Sequence, residues 1–285
     1  MKFRNLALIT TSVAALGFSA TASQAAPTMG EIYLGVAQWW DNYEFGSEGY
    51  DYNHPSLYGF GRVNIPYDGT KANLQLDFFG DSSLHDSGNL SLAGSRGNFG
   101  AGAHVNWRDS SEGLLGLYLA TGRVWDIFGA NNSPVFMAGL EGQYYCGHWT
   151  MYGQAGYMDS GGGFFIRNAG LVRGLLSYNA STKLKVTGGL GYIEGDVFGA
   201  SATVWNWQAG GTYWFGKSVP VALTLKYEGR ETEVDYSSSF RPKLNSNVVS
   251  IGFNFYFGGG SVEEVERTGA GTEIPNFDLF RVPGS

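Results

Sequence analysis

Cysteine is almost missing from this chain. Cys146 stands alone, so no internal disulfide can form and a small disulfide-stapled scaffold is excluded. Charge is scarce as well. Charged residues make up 15% of the sequence, against about 25% in an ordinary soluble domain. The balance is acidic, −7 net, and it deepens to −9 if Lys2 and Arg4 are lost with the leader described below (two positive charges removed from −7). An acidic surplus disfavours nucleic acid as a partner. Long hydrophobic runs are limited to one, residues 6–20, and no other segment has enough consecutive apolar residues for a transmembrane helix. Helical periodicity is hard to find anywhere.

The one apolar run has a clear use. Lys2 and Arg4 precede it, Leu8, Ile9, Val13, Leu16 and Phe18 lie in it, and Ser23-Gln24-Ala25 follows with small residues at the spacing a signal peptidase reads. Residues 1–25 are therefore expected to be a cleaved secretion signal. The run is short for a membrane anchor. The mature chain of about 260 residues fits one closed barrel. Export leaves it in the periplasm, outside the cell, or in the outer membrane as a barrel.

What the chain has in quantity is glycine and aromatics: 44 Gly, 19 Phe, 17 Tyr and 8 Trp. That content disfavours helices and suits strands. Residues 221–230 alternate strictly, with Val221, Leu223, Leu225 and Tyr227 on one face and Ala222, Thr224, Lys226, Glu228 and Arg230 on the other. Residues 248–257 repeat the pattern, with Val249, Ile251, Phe253, Phe255 and Phe257 against Ser250, Gly252, Asn254 and Tyr256. Similar alternation runs through 73–78, 99–108, 136–145, 183–192 and 205–215, and less regular strands lie near 31–40, 56–65, 114–124, 149–158 and 169–178. The sum is twelve strands of roughly membrane-crossing length. Connections alternate between short ones (66–71, 109–113, 146–148, 179–182, 216–220) and longer ones (41–55, 80–97, 124–134, 159–168, 194–201, 231–246). This rhythm predicts an all-β protein: a closed antiparallel transmembrane barrel over residues 26–257, an up-and-down meander with tight periplasmic turns and larger outer loops. An even count places both termini in the periplasm.

Three features put the apolar face outside. Aromatics bunch near strand ends, at Trp39 and Trp40, Trp107, Trp149, residues 213–215 and residues 255–257, as interfacial girdles require. The apolar face includes small residues such as Ala101, Ala103, Gly188 and Ala209, which lipid tolerates better than a dry core does. Twelve strands also enclose a space too wide for a packed side-chain core. On the signal, the strand rhythm over residues 31–257 and the closing strand Ile251-Gly252-Phe253-Asn254-Phe255-Tyr256-Phe257, the chain resembles bacterial outer-membrane β-barrels of the porin-like kind. The resemblance implies residence in a Gram-negative outer membrane, with lipid and lipopolysaccharide as neighbours and the barrel-assembly machinery reading the closing strand. The chain departs from that pattern in continuing to Ser285. Residues 258–285 carry Glu263, Glu264 and Glu266, then irregularly spaced Ile274, Phe277, Leu279 and Phe280. Their composition points to a mobile periplasmic tail, with insertion into the periplasmic mouth as the alternative.

The polar face is the candidate for function. It carries Arg62, Asp77, His104, Arg108, Glu141, Arg173, Lys183, Lys185, Lys226, Glu228 and Arg230. In lipid these would line the lumen, because a charge on the lipid face costs about 2–4 kcal/mol at mid-depth. The expected function is passive diffusion of small hydrophilic solutes, with mild anion preference from the basic surplus. A barrel plugged by cross-linked ion pairs, acting as a structural or surface-interaction protein, is the alternative. A lipid-modifying hydrolase ranks lower. It would need a histidine and a hydroxyl nucleophile on the lipid-facing wall. His54 and His85 instead fall in expected outer loops, His148 in a periplasmic turn and His104 on the polar face. The cluster Asp81-Ser82-Ser83-Leu84-His85-Asp86 has no fixed geometry for a triad, and it is equally weak as a metal site. Gly188-Gly189-Leu190-Gly191 and Gly161-Gly162-Gly163 lack the following helix of a phosphate loop. No catalytic residue, metal or cofactor is expected. The acidic, aromatic stretch 41–54 is expected to be an outer loop folded over its own barrel mouth.

Overall fold

The computed structural model describes residues 27–84, 96–125, 132–162, 165–216, 219–237, 240–259 and 261–282. The expected signal, residues 1–25, lies outside them, as do His85 and Asp86.

Twelve strands follow one another: β1 (Met29–Phe45), β2 (Glu48–Pro66), β3 (Ala72–Ser83), β4 (Gly97–Asp109), β5 (Gly113–Trp125), β6 (Asn132–Cys146), β7 (Trp149–Ser160), β8 (Arg167–Asn179), β9 (Leu184–Val197), β10 (Ala200–Trp214), β11 (Val221–Asp235) and β12 (Lys243–Phe257). Each pairs antiparallel with its sequence neighbours, and β12 closes on β1 from Gly30↔Phe257 to Glu44↔Lys243. Closure leaves no free sheet edge, the condition for a sheet to stand in lipid.

Alternation decides the faces. Leu34, Leu115, Leu117, Leu119, Leu140, Leu190, Leu225, Ile251 and Phe253 all point outward and are exposed. In water so continuous an apolar surface would drive association, whereas hydrocarbon solvates it. Inward positions bury Gln75, Asp77, His104, Asn106, Glu141 and Gln154.

Two expectations about connections fail. Residues 41–54 are not a loop. They continue β1 and β2 as a hairpin that turns at Gly46, where φ is +65°. Its polar and aromatic residues alternate, so Asp41 and His54 point inward and are buried. Likewise β9 and β10 run to a tight turn at Phe198 and Gly199, with φ +52° and +81°. The strands run 12–19 residues, longer than the roughly 9–11 that cross a bilayer. The hairpins therefore extend past the membrane on the outer side.

The largest correction concerns the C-terminus. It is neither a mobile periplasmic tail nor confined to the mouth. After β12 the chain turns at Gly258 (φ +82°) and enters the barrel. Helix α1 (Val262–Thr268) forms first, capped by Ser261, whose side chain accepts from the Glu264 N–H at 3.0 Å. Residues 271–276 then run without helix or strand. A 3-10 turn, Phe277–Phe280, follows near the outer rim, capped by Asn276. There the Ile166 N–H donates to the Phe280 carbonyl at 2.8 Å, and Arg281 forms an isolated bridge with Phe165.

Apolar contacts hold both ends of this segment. Near the periplasm Val262 and Val265 pack against Trp214, Ala222 and Tyr256. Near the outer rim Phe277, Phe280 and Val282 join a larger cluster with Tyr118, Val135, Met137, Met158, Leu171, Ile193 and Val204. Phe277 sits on two wall glycines. A Cβ at either Gly100 or Gly122 would come within 2.6 Å of its ring. Burying an aromatic this fully is worth about 1.5–3 kcal/mol. The interior is thus not polar throughout, because the outer part of the β5–β11 wall is apolar.

Candidate functional site

The site is the lumen together with the segment that fills it. At the periplasmic level the Glu266 carboxylate accepts from the Thr150 hydroxyl at 3.2 Å and the Asn179 amide at 3.1 Å, and it pairs with Lys185 at 3.5 Å. Arg108 donates to the Gly269 carbonyl, and the Asn64 amide donates to the Thr268 carbonyl at 3.2 Å.

The middle level carries most of the charge. Arg62 lies among three carboxylates: Glu31 at 3.2 Å, Glu273 at 3.5 Å and Asp77 at 3.8 Å. Arg173 forms a charge-assisted hydrogen bond to Glu273 from the opposite wall. The His104 ring sits between Glu141 at 2.9 Å and Asp77 at 3.3 Å, and the Tyr152 hydroxyl donates to Glu141 at 2.7 Å. Gln143, Gln75 and Gln154 donate to the carbonyls of Gly271, Thr272 and Glu273 at 2.8, 2.9 and 2.9 Å. Lys226 and Glu228 pair with each other at 2.9 Å and are partly open to the remaining space.

At the outer level Arg230 donates to the Asp278 carbonyl. Arg281 pairs with Asp278 at 2.6 Å and donates to the Gly97 carbonyl at 3.0 Å. Arg96 pairs with Asp41, which also accepts from the Ser246 hydroxyl. Trp39 stacks on His54 at 5.9 Å between centroids.

Of the residues singled out by alternation, the structure brings Arg62, Asp77, His104, Arg108, Glu141, Arg173, Lys185, Lys226, Glu228 and Arg230 into the lumen. Lys183 does not join them. It is exposed in the turn before β9, so the strand begins one residue later than its sequence pattern implied. Sequence reasoning missed Glu31, because β1 alternates weakly. Gln75 and Gln143 lie in the alternating stretches 73–78 and 136–145, but that reasoning gave them no role. It gave Glu266, Glu273 and Asp278 no place in the lumen, since nothing periodic in residues 258–285 says which way they face.

No family model matches the chain, and no curated protein matches it. Solved structures do. An outer membrane channel from Pseudomonas putida F1 is 14% identical, with 83% of this chain and 97% of that one covered at a TM-score of 0.57. The beta domain of the Bordetella autotransporter BrkA (14% identity, 81% and 100% covered, TM-score 0.45) and the KdgM porin (8%, 78% and 99%, 0.44) are more distant. At such identities the likeness speaks for the fold. With its apolar exterior and complete closure, that fold is a twelve-stranded antiparallel β-barrel similar to that of the outer membrane channel.

Proposed function

We propose that the chain is an outer-membrane channel for small hydrophilic solutes, held shut in this conformation by its own C-terminal segment. One observation carries this reading. A charged, hydrogen-bonding wall stands inside an apolar barrel, and what fills it is held by noncovalent contacts alone. Space remains beside the segment. A cavity of about 110 Å³ is lined by Arg62, Lys185, Gln208 and Glu266, and one of about 60 Å³ by Arg173, Gln208, Glu228 and Arg230. Leu175 and Gln208 border both. The reading places the mature chain in a Gram-negative outer membrane, exported through a cleaved leader.

The anion preference expected from the wall is refined by the segment. Glu266 and Glu273 bring acid to the periplasmic and middle levels of the lumen, while at the outer level Asp278 is paired with Arg281 of the same segment. With the segment in place the basic surplus is offset, so full-length protein should show reversal potentials near zero under a salt gradient. Removing residues 258–285 should move them toward anion selectivity, and less so at high salt, where screening acts within about 3 Å at 1 M. Strong cation selectivity after removal would overturn the assignment of the wall charges.

A non-conducting barrel is favoured by one fact, that the segment reaches from the periplasmic end to the outer rim. An enzymatic reading has less support. His54 and His104 are buried inside the barrel, away from the lipid-facing wall where a lipid hydrolase would act.

A further inference from the structure

The middle of the C-terminal segment is bound in an unusual way. Its sequence, Thr268-Gly269-Ala270-Gly271-Thr272-Glu273, offers little side chain to hold. The wall instead holds its main chain. Asn64 on β2, Gln75 on β3, Arg108 on β4, Gln143 on β6 and Gln154 on β7 donate to the carbonyls of Thr268, Thr272, Gly269, Gly271 and Glu273 respectively. Buried carbonyls must find donors somewhere. Here all five accept from wall side chains, each on a different strand, and the Gly269 carbonyl also accepts from the Gly271 N–H at 3.0 Å. Space-filling alone is achieved elsewhere in the segment by apolar packing, as at Phe277 and Phe280. Only one side chain of the middle stretch is read through its charge, the Glu273 carboxylate between Arg62 and Arg173.

A set of donors on five strands that meets five carbonyls between Thr268 and Glu273, ending in a paired-guanidinium seat for a carboxylate, is complementary to one chemical class. We propose that the lumen wall carries a binding track for short, acidic peptides with small side chains, and that the C-terminal segment occupies it as a tethered stand-in. Withdrawal of the segment vacates the track. Main-chain recognition makes the track tolerant of sequence, as in other modes that read a peptide through its backbone. The guanidinium pair supplies the preference for acid. The tether holds the segment at high effective concentration, so a free peptide competes only after the segment loosens. The inference rests on the channel reading for passage of such peptides across the membrane, but binding to the track stands apart from conduction.

The test uses the full chain in detergent, as wild type and as Glu273→Lys, with a second variant, Phe277→Asp, that unseats the outer anchor without altering the track. Trypsin cleavage after Arg281, buried in this conformation, reports withdrawal. The probe is a fluorescent peptide with the sequence of residues 268–276, compared with the same peptide carrying lysine in place of its glutamate. Wild type should bind neither. Glu273→Lys should become cleavable and bind the acidic peptide at least about tenfold tighter than the basic one, a difference of about 1.4 kcal/mol. Gln143→Ala with Gln154→Ala in that background should abolish the binding, and Phe277→Asp should show the same preference more weakly. Equal affinity for the two peptides, or a segment that neither variant releases, overturns the track. Bilayer currents recorded in parallel separate the two readings: binding without current removes the channel and keeps the track, and current without binding does the reverse.

Discussion

Replacing Leu225 with arginine is expected to destabilise the barrel in lipid by about 2–4 kcal/mol, while Lys226→Ala, one residue along, costs less than about 1 kcal/mol. Leu225 points outward and is 54% exposed. It pairs with Ile251, next to the midpoint of β12, and with Gly211 on β10. An arginine there meets hydrocarbon near mid-depth. Lys226 points inward, where among the described residues its ion pair is with Glu228, and both side chains are more than a quarter exposed. Removing that pair leaves Glu228 in contact with lumenal space. Folding yields in lipid vesicles, read from heat-modifiable migration on gels, compare the two. Equal yields would contradict the assignment of faces.

His104→Leu is expected to be the most damaging single change inside the lumen, at about 3–5 kcal/mol. The ring is fully buried and bridges Asp77 and Glu141. Leucine fills a similar volume but leaves two carboxylates facing each other. Asp77 keeps the Gln75 amide at 2.7 Å and Arg62 at 3.8 Å, and Glu141 keeps the Tyr152 hydroxyl at 2.7 Å, which holds the effect toward the lower end. Adding Asp77→Asn and Glu141→Gln to His104→Leu should restore most of the loss, because the uncompensated charge is what costs. Denaturant unfolding followed by tryptophan fluorescence measures both. A loss below about 1 kcal/mol for His104→Leu would mean the cluster is solvated and not dry.

The sequence pattern disclosed faces better than it disclosed contents. Alternation reports one thing for each residue, which side of the sheet it occupies, and it did so for Leu225 against Lys226 and for His104 against Val105. Strand ends were less legible. The stretch 41–54 is rich in Asp, Glu and Tyr, the composition of a surface loop, yet its alternation carries Asp41 and His54 into the lumen. Composition outweighed period there, and period was the better guide. The C-terminal segment was illegible for a different reason. A segment that packs on a curved interior without regular structure has no repeat to detect. Its one readable hint was the presence of Phe277 and Phe280, which a solvated tail does not need. Ala101 and Ala103 share the outward face with exposed Phe99 and Val105, as alternation implies, but nothing in the sequence says that the inward-facing Gly100 and Gly122 seat Phe277. That pairing exists only once the chain has closed and threaded itself. Glu273, on which Arg62 and Arg173 converge, is invisible until then.

Single-channel conductance of the full chain against a chain ending at Phe257 tests the central claim most directly. All twelve strand pairings are made by residues up to Phe257, so the shortened chain should fold and keep heat-modifiable migration. The full chain should be mostly closed, with brief openings. The shortened chain should conduct steadily, because twelve strands without the segment enclose a wet passage. A folded, shortened chain with no conductance, or one with the same steady conductance as the full chain, would contradict a lumen closed by its own C-terminus.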